Sequence, residues 1–351
     1  MGMNCEIQYR KGNAKMLAVL LFLCALVPAH WPAQAWDAEK WYETSTALPA
    51  SIQEALPKQS AYVCGIGAGD TIFVLLDEGG DIRRVSVFAD NGNSYRLECA
   101  SAPFPRWNGI APTIGGSGDT LHVIYEAVGG ASFTFKRMRD HTWKLRTVQA
   151  KDTYSFDAVG LYENGEPYLC GSIGDSDLSA VDVSKLPATY AEAVQKMDTD
   201  GWALVKSGKY SDRLHLRTAP STDAASIGRY YSGTPVRVLA EQGDWAKVSV
   251  AGVQGYMLKK FLAFGLDMLN VHRWFLSSVG ESKTLIVEDA ERGVNVHAGP
   301  DTGSAIVGVL RESDSFSQYI IATVGDHWYH ILCNDGLSGY VEARHFCDGN
   351  G

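Results

Sequence analysis

The stretches LHLRTAPS at residues 214–221 and VNVHAGPD at residues 294–301 are two copies of one pattern. Each reads apolar, variable, apolar, variable, two small residues, proline and a polar residue. Alternating apolar residues place one face of a β-strand inward, and a proline beside small residues turns the chain. The pattern therefore predicts a strand and a turn that occur twice, 80 residues apart.

The same landmarks follow both copies in the same order. A glycine comes eight residues after each proline, a tryptophan strand comes next, and a Gly-Tyr pair precedes a hydrophobic end. These landmarks are Gly228 and Gly308, Trp245 and Trp328, and Gly255-Tyr256 and Gly339-Tyr340. Their separation grows only from 80 to 84 residues. This order predicts two copies of one small antiparallel module, at residues 201–264 and 284–348, with a linker helix at 265–283.

The opening pattern, the tryptophan strand and the closing Gly-Tyr pair resemble the bacterial SH3 (SH3b) family. The first copy follows the family pattern closely. The second copy departs from it, with His297 where the family usually has arginine and with a longer middle hairpin. The resemblance implies two tandem barrels that bind peptidoglycan stem peptides, crossbridges or wall polymers in a shallow groove.

Seven side chains are the candidate ligand-binding residues of this groove: Arg217, Tyr230, Tyr231, Trp245, Tyr256, Trp328 and Tyr340. Adjacent or terminal tyrosines are chosen because they are not expected to face inward together, and exposed aromatic rings stack on sugars or contact peptides. The two tryptophans lie where the SH3b family keeps a strand tryptophan, for which packing is the alternative role.

Charge separates the two barrels. Residues 213–262 hold seven basic and three acidic residues, whereas residues 292–347 hold three basic and six acidic ones. The whole chain has a net charge of −9, which argues against a nucleic-acid partner. A positive first barrel in an acidic protein is expected to attract anionic wall polymers, with an ordinary solvated surface as the alternative interpretation.

Residues 61–185 carry a second kind of repeat. Gly69-Asp70-Thr71 recurs as Gly118-Asp119-Thr120, 49 residues later, and each copy continues through an apolar strand, a Gly-Gly turn and another strand. A weaker third copy begins at residue 158. The period resembles that of β-propeller blades, which are often about 40–50 residues long.

Three copies are fewer than the roughly four blades of the smallest closed propeller. An incomplete set of propeller-like blades, a propeller completed by another chain and an unrelated β-sandwich therefore remain as alternatives for this region. A leader or helical arm at 36–60 and a helical connector at 186–200 flank it. The predicted fold class is all-β: a repeated antiparallel module followed by two small SH3-like barrels.

The N-terminus has the three-part structure of an export signal. Arg10, Lys11 and Lys15 precede the apolar run from Met16 to Val27, and Ala33-Gln34-Ala35 is a small-residue cleavage site. Twelve apolar residues span about 18 Å as a helix, too short for a bilayer core of about 30 Å. We therefore expect residues 1–35 to be removed, a mature chain without a transmembrane span, and a secreted, cell-wall-associated protein.

No motif for catalysis, a metal or a cofactor is found in the sequence. Five cysteines lie beyond residue 35, and Cys333 and Cys347 are the candidate pair for a disulfide. The contexts of Cys64 and Cys170 are typical of strands rather than of a nucleophile at the start of a helix. We therefore expect no cofactor, no metal site and no enzyme activity.

The sequence thus favours an exported, non-catalytic protein of the cell envelope whose partner is peptidoglycan or a wall polymer. Two alternatives remain. Residues 61–185 could be a wall hydrolase of unrecognised type that the barrels target, or the whole chain could be a scaffold that binds other secreted proteins. The oligomeric state and the identity of the ligand are left open.

Overall fold

Antiparallel strands make up most of the computed structural model, which describes residues 40–126, 129–157, 160–163, 166–169, 176–276, 283–286, 292–311 and 318–348. The export signal predicted at residues 1–35 lies outside these ranges, as does Cys170. The all-β fold class predicted from the sequence is confirmed.

The first sheet has six strands in the order β1-β2-β3-β4-β5, with β6 paired to β4. They are β1 (Lys40–Tyr42), β2 (Ala61–Ala68), β3 (Thr71–Gly79), β4 (Ile82–Asp90), β5 (Tyr95–Ala100) and β6 (Phe104–Pro105). The Gly69-Asp70 turn joins β2 to β3. Gly69 has a φ of +59°, the left-handed conformation that a two-residue hairpin needs at its first turn position.

The second sheet has seven strands in the order β13-β12-β11-β10-β9-β8-β7. They are β7 (Thr113–Ser117), β8 (Thr120–Ile124), β9 (Ser132–Arg137), β10 (Trp143–Gln149), β11 (Thr153–Asp157), β12 (Gly160–Glu163) and β13 (Glu166–Leu169). The third predicted repeat therefore extends the sheet of the second repeat through the β10–β11 pair and does not form a sheet of its own.

The two sheets share one hydrophobic core. Phe73 of β3 packs edge-on against Trp143 of β10, with ring centroids 5.3 Å apart. The Phe73 ring lies so close to β7 that a Cβ added at Gly116 would be 2.6 Å from it. At the rim, the Glu98 carboxylate accepts hydrogen bonds from Trp143 Nε1 and Arg137 Nε, each 2.9 Å long. In the part of the chain that the structure describes, these sheets form a packed pair, not a closed ring of blades.

Two short helices cover this pair of sheets. Helix α1 (Ala50–Ala55) places Ile52 on the outer face of the first sheet. Helix α2 (Tyr190–Lys196) lies within the predicted connector and buries Ala193 in the core between the sheets. It begins after Thr189, whose side chain accepts a hydrogen bond from the Glu192 backbone N–H and so caps the first turn.

Twelve further strands form one sheet, in the order β20-β14-β17-β18-β19-β15-β16-β24-β25-β26-β22-β23, with two separate hydrophobic cores. We call the parts of the sheet around these two cores the first barrel and the second barrel. The first barrel has β14 (Trp202–Val205), β15 (Leu214–Arg217), β16 (Ser226–Tyr230), β17 (Pro235–Gln242), β18 (Trp245–Val250), β19 (Val253–Leu258) and β20 (Leu262–Phe264). The second has β22 (Val294–His297), β23 (Ile306–Leu310), β24 (Gln318–Val324), β25 (Trp328–Cys333) and β26 (Ser338–Glu342). A separate pair, β21 (Lys283–Leu285) and β27 (Phe346–Asp348), completes the second barrel.

The linker between the barrels is only partly helical. A 3-10 helix covers Gly265–Asn270, the first part of the linker helix predicted at 265–283, and residues 271–275 have no regular secondary structure. Met268 packs in the core between the two upstream sheets, Phe275 in the first barrel and Leu276 in the second. The linker therefore contributes to three hydrophobic cores and is fixed by all of them.

Strand pairing follows one scheme in both barrels. The β15–β16 pair has a bulge after Leu216, and the β22–β23 pair has a bulge after Val296. The β17–β18 and β24–β25 pairs also have bulges, which make Leu239 and Ile321 equivalent residues. The landmarks that repeat in the sequence thus occupy corresponding positions in the two barrels.

A strand pair joins the barrels to each other. Strand β16 lies antiparallel to β24, with Arg229 opposite Thr323 and Tyr230 opposite Ala322. The Tyr231 N–H donates to the Ile321 carbonyl oxygen at 3.0 Å. One continuous sheet therefore runs from the first barrel into the second.

Candidate functional site

The open outer face of the first barrel carries the candidate site. Tyr256 of β19 lies directly opposite Arg217 of β15 on one side and Lys247 of β18 on the other. Trp245 is two residues before Lys247 on β18, so its side chain points to the same side of the sheet. All four side chains are half-buried. We call these four residues the basic-aromatic face.

The inward neighbours of these residues explain why the face points outward. Leu216, Ala246, Val248 and Met257 alternate with the four and pack in the core of the first barrel. Arg217 and Lys247 are the neighbours of Tyr256 on its two sides because the three residues form one cross-strand row. Arg217 is held in place by a 2.7 Å hydrogen bond from Nη1 to the Ala224 carbonyl oxygen. An aromatic ring between two cations can stack on a sugar or peptide group while the cations attract a carboxylate or phosphate.

The equivalent face of the second barrel has different residues and is covered. His297, Tyr340 and His330 form the corresponding cross-strand row. His330 is fully buried, Tyr340 is 4 % exposed and His297 is 7 % exposed. His330 stacks on Tyr340 with ring centroids 4.6 Å apart, and Trp328 packs edge-on against His297 at 5.5 Å.

Tyr230 of the first barrel covers this row. Its hydroxyl lies 2.9 Å from His330 Nδ1, and the two rings meet edge to face. Burial lowers the pKa of His330 from 6.5 to about 4 and raises the pKa of Tyr230. Both groups are therefore neutral at pH 7, so Tyr230 and His330 join the two barrels by a hydrogen bond between uncharged groups.

The prediction that Tyr230, Tyr231 and Tyr340 line an exposed groove is wrong. Tyr230, the last residue of β16, and Tyr231, which directly follows it, are both fully buried, since the chain here lies between two cores and each ring enters a different one. Adjacent residues do point to opposite faces, as expected, but both faces of this strand are covered. Tyr340 is buried against His330 at the joint. Of the predicted ligand residues, Arg217, Trp245 and Tyr256 come together on an open face, and Trp328 lies at the covered one.

The candidate disulfide between Cys333 and Cys347 is not formed either. Neither residue takes part in a disulfide within the described part of the chain. Cys333 points into the core of the second barrel, whereas Cys347 is exposed on β27. The two residues lie on strands that are not paired with each other.

Lys247 was not among the residues singled out from the sequence. Its position could have been inferred from the alternation Trp245, Lys247, Ser249 opposite the buried residues of the same strand. The sequence around His330 does not indicate that this side chain is buried, because its burial depends on contacts with the first barrel. Elsewhere in the described ranges, no group of three or more His, Cys, Asp or Glu side chains could hold a metal ion. None of the described helices has the length and apolar character to cross a membrane.

Comparison with known proteins gives two matches. Residues 212–263 match the family model described as "Bacterial SH3 domain". A protein of Bacillus subtilis (strain 168), "Putative N-acetylmuramoyl-L-alanine amidase YrvJ", is 29 % identical over 128 residues, which are 36 % of this chain. The match spans only 24 % of the length of that relative. The chain therefore carries a bacterial SH3 domain at residues 212–263, the domain whose basic-aromatic face is open.

Proposed function

We propose that this protein is an exported, non-catalytic protein of the cell envelope that binds peptidoglycan or an attached wall polymer through the basic-aromatic face of its first barrel. The observation that carries the proposal is the row Arg217, Tyr256 and Lys247 on the matched SH3 domain. Anionic carboxylates and phosphates, together with sugar rings, are the chemistry that such a row would bind.

The comparison of the two barrels supports this assignment. We propose that residues 284–348 are a second domain of the same family, since its strand pairing follows the first. Where the first barrel has Arg217 and Lys247, the second has His297 and His330, which are covered. The second barrel would then hold the first in position, and ligand binding would depend on one open face.

This arrangement, with one open and one covered face, changes the binding mechanism expected from the sequence. Two barrels on a loose linker would gain avidity by engaging two ligands at once. Here the β16–β24 pair and the packed linker fix the barrels relative to each other. We therefore propose single-site binding with modest affinity. Export is supported by the signal pattern at residues 1–35, and the lack of a catalytic motif in the sequence supports a non-catalytic role.

The test is co-sedimentation of the full chain with purified peptidoglycan sacculi, with and without their wall polymers, at low and high salt. We expect Lys247→Glu to weaken binding about tenfold, which is about 1.4 kcal/mol. Tyr256→Ala is expected to weaken it similarly, whereas Tyr256→Phe keeps the ring and retains most of the binding. Lys151→Glu makes the same charge change at an exposed residue of the upstream sheets and serves as the control.

Each outcome has a distinct meaning. Binding that is unchanged in both Lys247→Glu and Tyr256→Ala would refute the assignment of the site. Absence of sedimentation with sacculi under all conditions would refute wall binding and favour a protein partner. Release of soluble fragments from the sacculi by the purified chain would contradict the non-catalytic part of the proposal.

A further inference from the structure

Four cations follow one another across the outer surface of the first barrel. We call them the cationic strip, and they are Lys247 of β18, Arg217 of β15, Arg229 of β16 and Arg213 just before β15. Arg217 and Lys247 lie opposite Tyr256 on its two sides. Arg229 lies opposite His215, which comes two residues before Arg217 on the same side of β15. The strip therefore crosses the neighbouring strands β18-β19-β15-β16, about 14 Å at the usual spacing of strands.

The two arginines of the strip that lie outside the basic-aromatic face are positioned at the joint between the barrels. Arg229 is exposed, and it lies opposite Thr323 in the strand pair that joins the barrels. The Arg213 side chain reaches the same pair, where Nη1 donates to the Thr323 hydroxyl oxygen at 3.3 Å. The Arg213 guanidinium also lies over the Tyr231 ring, 4.5 Å from its centroid. The second barrel thus helps to position a surface that belongs to the first.

The cationic strip is not neutralised by carboxylates of the described ranges. Among these residues, no carboxylate oxygen lies within 4 Å of a charged nitrogen of the four cations. Asp212, Asp223 and Asp326, in the loops beside the strip, are among the carboxylates outside this distance. Elsewhere in the same barrel, Lys259 pairs with Glu241 at 2.8 Å. The strip therefore keeps its positive charge, although the whole chain has a net charge of −9.

The imidazole of His215 lies within the electric field of the strip. Its Nδ1 is 2.7 Å from the Ser226 hydroxyl oxygen. Burial lowers the pKa of His215, and the positive charges of Arg217 and Arg229 lower it further. His215 is therefore neutral at pH 7 and offers a hydrogen bond rather than a charge. The two guanidinium groups act on the same point of the surface, so an anion bound there would meet both of them.

We propose that the ligand is a linear polymer with a phosphate group in each repeat and that the cationic strip binds several consecutive phosphates, a narrowing of the ligand class that rests on the proposed function. A short peptide offers one or two carboxylates, for which Arg217 and Lys247 alone would be enough. Four cations on neighbouring strands instead fit anionic groups that recur about every 5–7 Å. Guanidinium groups bind phosphate oxygens through two parallel hydrogen bonds, and the Tyr256 ring would contact the uncharged part of a repeat.

The test measures binding of the full chain to synthetic glycerol-phosphate oligomers with two, four and eight phosphates, by isothermal titration calorimetry. The longest oligomer is expected to bind at least about tenfold more tightly than the shortest, because it reaches several cations at once. High salt should reduce this difference. Arg229→Gln is expected to weaken binding of the longest oligomer about fivefold, whereas Arg229→Lys keeps the charge and most of the affinity. Arg96→Gln makes the same change at an exposed arginine of β5 and is the matched control.

Three results would each overturn the proposal: no binding of the longest oligomer, equal affinity for the longest and the shortest, or an equal effect of Arg229→Gln and Arg96→Gln. Sacculi then show whether the proposed function fails with it. If only the phosphate polymer is wrong, sacculi stripped of their polymers sediment the wild-type chain as well as intact sacculi do, and Arg229→Gln binds them like the wild type. If wall binding itself is wrong, neither kind of sacculi sediments the chain.

Discussion

Acidification should destabilise the joint between the barrels through His330. Its pKa is lowered from 6.5 to about 4 in the folded protein by burial, and its Nε2 is buried without a hydrogen-bond partner among the described residues. The unfolded chain has the ordinary pKa, so between pH 6.5 and 4 unfolding takes up a proton, and stability falls as the pH falls. The stability that neutral His330 contributes to the folded protein is fully present above pH 6.5. From these two values the loss between pH 7.5 and 4.5 is about 2–3 kcal/mol for this one side chain.

The contribution of His330 is measured by urea unfolding at pH 7.5 and at pH 4.5. The free energies of unfolding of the wild-type chain and of His330→Asn are compared at each pH. Other acid-sensitive groups, including His122 with its pKa of about 4, are present in both proteins and cancel in the comparison. The variant is expected to be less stable at pH 7.5, since it loses a packed ring, but to lose about 2–3 kcal/mol less on acidification. An equal loss of unfolding free energy in both proteins would refute the reasoning.

Further measurements test other parts of the structure. Tyr230→Phe leaves His330 Nδ1 without its partner and should cost about 1–3 kcal/mol in urea unfolding. Tyr231→Phe removes a hydroxyl that has no hydrogen-bond partner in the part of the chain that the structure describes, and it should cost less than about 0.5 kcal/mol. Gly116→Ala drives a methyl group into the Phe73 ring and should lower stability by about 1–3 kcal/mol, whereas Gly208→Ala enters open space and should be nearly neutral. Among the four cysteines of the described residues, only Cys347 is exposed, so a soluble thiol reagent should modify it first, and Cys347→Ser should remove this fast phase.

Local rules were enough to predict the opening strands of both barrels and two hairpin turns of the upstream sheets. The alternation at residues 214–217 and 294–297 placed the correct side chains in the cores. The Gly-Asp pairs at 69–70 and 118–119 correctly marked hairpin turns. Such features depend only on a residue and its near neighbours in the chain, so a single sequence is sufficient to predict them.

Assignment of the exposed faces could not be made in this way. Tyr230 and Tyr231 follow the alternation rule, but only the presence of a second barrel decides that both faces of their strand are covered. The same holds for His330 and Tyr340, whose equivalents Lys247 and Tyr256 are half-exposed. Burial at a joint depends on strands that lie about 100 residues apart in the chain, and periodicity carries no information on such contacts.

Tyr230 and Tyr231 also limit how this chain can be altered during evolution. A domain that folds alone can be gained, lost or exchanged by recombination without damage to its neighbours. In this chain, deletion of the second barrel would expose the rings of both tyrosines and the edge of β16 to water. Deletion of the first barrel would leave the buried histidine row of the second uncovered. The two barrels must therefore be inherited together, as a single unit of selection, although their sequences have the form of a simple repeat.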